Sequence, residues 1–163
     1  MTATDADIRE IRDRTAIAEL MHRYCRYADG DQGHKMVTLF TDDCLCDFHA
    51  GLRPEIEMLG REQLLEQIQA SLTTVRSGSH YITNMEILFE DPDRAILFCY
   101  MYSWQRFYDY PQRADCHRYG RYEMRAVRTG EGWRFDRMRL VVSGEYGGAR
   151  IGEQLGRPWP PTF

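Results

Sequence analysis

The chain has 163 residues, a mass of 19.2 kDa and a formal net charge of −4. That is long enough for one domain with a sizeable core, and it lacks the basic excess of a nucleic-acid binder. Hydrophobic residues at 43 % and charged residues at 28 % exclude a disordered chain, and no apolar run approaches the roughly 20 residues that span a bilayer. The amino terminus is acidic and polar, unlike a secretory signal. Together with five cysteines, this predicts free thiols in the reducing cytoplasm, with neither membrane nor nucleic acid as a partner.

The first predicted element is a helix from about Asp5 to Ala28, in which Ile8, Ile11, Ile17, Leu20, Met21, Tyr24 and Ala28 recur near the helical period. Thr4 and Asp7 resemble a capping box with Asp in place of Glu, and Gly30 is suited to end the helix in a left-handed conformation. A short helix around His34 to Phe40 follows, then a strand from Cys44 to Phe48, a break at Gly51 to Pro54, and a third helix from Arg61 to Val75.

Beyond Gly78 the pattern becomes β. Aromatic and branched residues alternate with turn signals, predicting strands at about His80–Phe89, Ala95–Tyr108, Cys116–Arg128 and Trp133–Val142. The order is α+β: three helices packed on a strongly curved antiparallel sheet, a cone-shaped barrel that encloses a pocket. Residues 1–146 form this domain, and 147–163 form an irregular Gly/Pro-rich tail that can cover the pocket mouth. Arginines between Arg113 and Arg139 alternate with apolar residues and acids, as on solvated strand faces.

Two stretches carry candidate chemistry, Tyr24-Cys25-Arg26-Tyr27-Ala28-Asp29 and Ser79-His80-Tyr81-Ile82-Thr83-Asn84. Strand alternation places His80, Ile82 and Asn84 on one face. Asp29 reads locally as a turn acid and His80 as a residue bonded to backbone. Tyr24 lies on the apolar side of its helix and needs a partner for its hydroxyl. At about 100° per residue, Tyr24 and Asp29 share a face only if the helix breaks near Ala28. Cys44, Cys46 and His49 lack the paired spacing of a zinc site, so no metal is expected.

The run Ala16-Ile17-Ala18-Glu19-Leu20, with Tyr24, Asp29-Gly30-Asp31 and Leu39-Phe40-Thr41-Asp42-Asp43, resembles the opening of SnoaL-like proteins of the nuclear-transport-factor-2-like superfamily. Ser79–Asn84, Gly120-Arg121-Tyr122 and Gly132-Trp133-Arg134-Phe135 fall where that family has strands. The resemblance spans about Ile8 to Gly144. Within the superfamily it is nearest to scytalone dehydratase, bile-acid 7α-dehydratase and hexachlorocyclohexane dehydrochlorinase, which eliminate water or HCl with a His–Asp dyad.

It implies His80 as base, Asp29 as its orienting carboxylate and Tyr24 as electrophilic donor. Asn84, Arg139, Phe48 and Ser103 follow as substrate contacts. Ser103 stands where the bile-acid enzyme has a further acid, and Phe48 where ketosteroid isomerases carry their base, with Asp47 facing the other way. The implied activity is a cofactor-independent lyase on a hydrophobic cyclic, aromatic or steroid-like small molecule, in a homo-oligomer (dimer or trimer). The alternatives are a ketosteroid-type isomerase or a non-catalytic ligand-binding or dioxygenase small-subunit-like partner.

Overall fold

A computed structural model describes residues 4–49 and 57–148. The first helix, α1 (Asp5–Asp29), starts with the capping box expected of Thr4 and Asp7: Asp7 N–H donates to the Thr4 hydroxyl and Thr4 N–H to the Asp7 carboxylate. Such a cap is worth about 1 kcal/mol. Ile17, Leu20, Met21 and Tyr24, spaced at i, i+3, i+4 and i+7, form the buried stripe. The helix does not break near Ala28 but continues to Asp29. The left-handed residue after it is Asp31 (φ 52°), not Gly30 (φ −96°). Asp tolerates that conformation through its short polar side chain.

The short α2 (Gly33–Met36) passes into a single 3₁₀ turn, Val37–Leu39. Strand β1 (Phe40–His49) begins earlier than its apolar run suggested. A three-residue β2 (Glu57–Leu59), too short to leave a periodic pattern, precedes α3 (Arg61–Leu72). Four long strands follow: β3 (Val75–Asp91), β4 (Arg94–Phe107), β5 (Cys116–Thr129) and β6 (Gly132–Gly147). The expected break at Gly51–Pro54 and most of the expected tail, from residue 149 on, lie outside the described residues.

The α+β architecture agrees with the sequence. The helices pack on one face of a six-stranded sheet in the order β2-β1-β6-β5-β4-β3. One pairing differs from an all-antiparallel sheet, because β1 runs parallel to β6. The sheet is therefore mixed and, with β2 and β3 at its edges, not closed.

Register shifts bend the long strands. Near Gly120 the backbones of β5 and β6 approach so closely that a Cβ would sit 2.1 Å from the Val141 carbonyl oxygen. Only glycine fits there. The concave face carries Leu97, Cys99, Tyr122, Met124, Phe135 and Met138 against α1. Burying side chains of this size stabilises the fold by roughly 1.5–3 kcal/mol each before entropy is counted. All five cysteines are buried free thiols.

Candidate active site

The core does not fill the whole concave face. Where α1 ends, it leaves a cavity of about 220 Å³ walled by residues of α1, α2, α3 and β1 as well as the long strands. Apolar residues Ala28, Met36, Phe48, Leu140 and Val142 dominate part of the wall, while His80, Gln105, Arg118 and Glu145 interrupt it.

His80 and Asp29 meet here, although 51 residues separate them in the chain. The His80 Nδ1 lies 2.6 Å from Asp29 Oδ1, and the His80 backbone N–H donates to Asp29 Oδ2 at 3.0 Å. One carboxylate thus fixes both the strand and the ring borne by it. With Nδ1 as the donor to the carboxylate, Nε2 carries the lone pair. The imidazole is 13 % exposed and the carboxylate 28 %. His80 lines the cavity and Asp29 stands behind it, so Asp29 and Tyr24 need not share a helix face, and an unbroken helix serves. Cys25, beside Asp29, is pushed up to about 12 by burial first and the nearby carboxylate second, which keeps the thiol neutral at physiological pH.

Tyr24 also lines the cavity, paired with Tyr122 at 5.5 Å between ring centroids and 73° between planes. The two hydroxyls are hydrogen-bond partners. Burial, above all, raises both phenols beyond their ordinary range, so both are neutral donors.

The other expected contacts divide. Phe48 is in the cavity wall, while Asp47 points to the opposite face and pairs with Arg139 at 3.2 Å. Arg139 is therefore on the convex face and does not face the cavity. Asn84 does not share the His80 face either: it adopts φ 52° at a register shift between Thr83 and Glu86 and is exposed. The extra residue reverses the alternation there, so Met85, Ile87 and Phe89 point inward instead. Ser103 is 2 % exposed, opposite His80 in the register of β3 and β4, but is not part of the cavity wall.

Arg118, one of the arginines expected on solvated faces, and Glu145, which the sequence did not single out, are cavity residues. They form an ion pair at 2.5 Å, and Arg118 Nη1 donates to Gln105 Oε1 at 3.1 Å. Arg118 has the same strand parity as Cys116, Tyr122 and Met124, a signal that it points inward. Among the described residues, no group of three or more His, Cys, Asp or Glu side chains converges as a metal site, and no helix is long and apolar enough to cross a membrane.

Residues 9–139 match the model of the SnoaL-like domain family. No functionally curated protein matches the chain. Among solved structures, a candidate scytalone dehydratase from Novosphingobium aromaticivorans superposes with a TM-score of 0.77 at 22 % identity, covering 93 % of this chain and 98 % of that one. A candidate aromatic ring hydroxylase from the same species gives 0.75 at 23 % identity over 84 % and 94 %. A type 2 hexachlorocyclohexane dehydrochlorinase gives 0.75 at 17 % identity over 95 % and 97 %. At these identities the likeness establishes the fold, and activity has to be argued from the site.

Proposed function

We propose that this chain, which belongs to the SnoaL-like domain family, is a cofactor-independent lyase that eliminates a leaving group β to a carbonyl in a hydrophobic cyclic substrate. The observation that carries this reading is the 2.6 Å contact between Asp29 and the imidazole of His80 at the wall of a cavity. His80 Nε2 removes a proton from the carbon next to the carbonyl. The C–H electron pair becomes the new double bond as the bond to the leaving group breaks, and the leaving group departs with its electron pair. Asp29 stabilises the imidazolium, and Tyr24 donates its proton in a hydrogen bond to the carbonyl oxygen as charge builds there. When hydroxide is the leaving group, the imidazolium returns the proton to it as water.

The cavity volume narrows the substrate. About 220 Å³ exceeds the roughly 150 Å³ that accommodates a benzene ring and falls below the roughly 300 Å³ where drug-sized pockets begin. One or two fused rings suit it better than a steroid skeleton. Ketosteroid-type isomerisation has weaker support, because its base would fall at Phe48 and the neighbouring Asp47 faces Arg139 on the other side.

The buried free thiols suit the reducing cytoplasm. A homo-oligomer packed through the convex sheet face is supported by the exposed Tyr81 and Tyr119, which flank Tyr102 at centroid distances of 5.7 and 5.2 Å.

The test is incubation with a bicyclic β-hydroxy ketone, following the absorbance of the conjugated enone. The wild type is expected to form it and His80→Ala to lose at least about 10²-fold in kcat. Equal turnover by the two proteins would remove His80 as the base.

A further inference from the structure

The strand register aligns four side chains across the concave face: His80 of β3 opposes Ser103 of β4, Ser103 opposes Arg118 of β5, and Arg118 opposes Glu145 of β6. With neighbouring strands roughly 4.8 Å apart, the backbone of Arg118 is two spacings, or about 10 Å, from that of His80. His80, Arg118 and Glu145 all line the cavity, whereas Ser103 is buried between them. On the sheet the cavity therefore has the imidazole on one side and an arginine held by Glu145 and Gln105 on the other, with Gln67 and Ser71 of α3 also in its wall. Phe48, Leu140 and Val142 supply apolar wall to the same space.

We infer that Arg118, held by Glu145 and Gln105, is a specificity-determining subsite for an uncharged oxygen substituent, a hydroxyl or phenol, carried by the substrate away from the carbon that His80 attacks. The inference rests on reading the cavity as a substrate site.

Three features support it. First, Arg118 uses its Nε–H on Glu145 and one Nη1–H on Gln105. Its other N–H groups have no acceptor among the described residues, and a guanidinium has five to give. Second, Glu145 balances the charge of Arg118. A carboxylate entering here gains one cation but meets an anion beside it, so the subsite disfavours anionic groups. Third, an arginine and a carboxylate side by side offer donor and acceptor together, and a hydroxyl can use both at once. The separation of roughly two strand spacings suits a bicyclic framework with functional groups at opposite ends.

Three probes on one framework test this by isothermal titration calorimetry: tetralone, tetralone with a hydroxyl on the aromatic ring remote from the ketone, and the same compound with a carboxylate in place of the hydroxyl. In the wild type the hydroxyl probe is expected to bind at least about tenfold tighter than either of the others. In Arg118→Met that advantage shrinks to less than about threefold while the affinity for unsubstituted tetralone is retained. The double variant Arg118→Met/Glu145→Leu removes both charges of the pair and gives the same loss if the single variant fails to fold.

His80→Ala keeps the hydroxyl preference. A preference that depends on Arg118, found together with no turnover of the bicyclic β-hydroxy ketone, supports the subsite and counts only against the lyase reading. Tightest binding by the carboxylate probe, an advantage that survives Arg118→Met, or no binding by any of the three overturns the inference.

Discussion

Helix α1 carries two aspartates that bond residues of the sheet, Asp13 near its start and Asp29 at its end, about 24 Å apart along the axis. Both are held by residues of the long strands, yet they serve different ends. Asp13 accepts from Arg128 Nη2 at 2.6 Å and from the Trp133 indole at 2.9 Å, and its side chain is 12 % exposed. Neither partner can exchange a proton near neutrality, since guanidinium does not deprotonate and an indole N–H only donates. Beside it, the Phe89 and Trp133 rings stand 6.2 Å apart between centroids. Asp29 instead holds an imidazole, the side chain suited to proton transfer at physiological pH, and that ring borders a cavity. The same carboxylate on the same helix is a fastener in one place and part of a base in the other. The difference lies in whether its partner can move a proton.

Substitutions separate the two ends, and the largest effect is expected at Asp29. Asp29→Asn turns an amide toward Nδ1 and favours the opposite tautomer, so kcat should fall by about 10³-fold or more. Thermal denaturation should show little loss of stability. Full activity in this variant would mean that the imidazole orients itself without the carboxylate.

Asp13→Asn should do the reverse, leaving kcat unchanged while costing about 2 kcal/mol in chemical denaturation. Burial opposes the charge of Asp13, but Arg128 and Trp133 outweigh it and hold its carboxyl below the ordinary range. A folded-state pKa below the unfolded one gives stability that is fully present above the ordinary carboxylate range. It is lost as pH falls through the lowered value. The stability of the wild type should therefore decline more steeply than that of Asp13→Asn below about pH 4. Parallel acid limbs would contradict the role given to this pair. The smallest effect is expected for Asn84→Ala, which should leave turnover within about twofold, because Asn84 is exposed at a bulge away from the cavity.

What could be read from the chain follows the local physics. The capping box at Thr4 and the buried stripe through Ile17 and Tyr24 depend on nearby residues, and both appear as expected. So do the four long strands, with longer ends than the pattern suggested. The approach of His80 to Asp29 is a long-range contact. Family resemblance pointed to it, whereas local reading left each residue in an ordinary setting.

The errors arise where alternation changes phase. Counting in twos from His80 fails at Asn84 because the segment contains a bulge. Glu145 lies beyond a register shift between the pairs Tyr119–Gly144 and Gly120–Val142, so counting from Leu140 and Val142 puts it on the wrong side. Arg118 has no such obstacle. Its parity with Cys116 and Tyr122 was available, but a cluster of eight arginines on neighbouring stretches made it resemble one more solvated charge.

The central claim is that His80, oriented by Asp29, takes a proton from a carbon atom held in the cavity. The most direct test does not depend on the leaving group: incubate the protein with tetralone in D₂O and follow the α-proton signal by NMR. The account predicts that the wild type exchanges this proton well above the buffer rate and that His80→Ala returns it to the buffer rate. Equal exchange by the two proteins, or none by the wild type with tetralone shown to be bound, would contradict it.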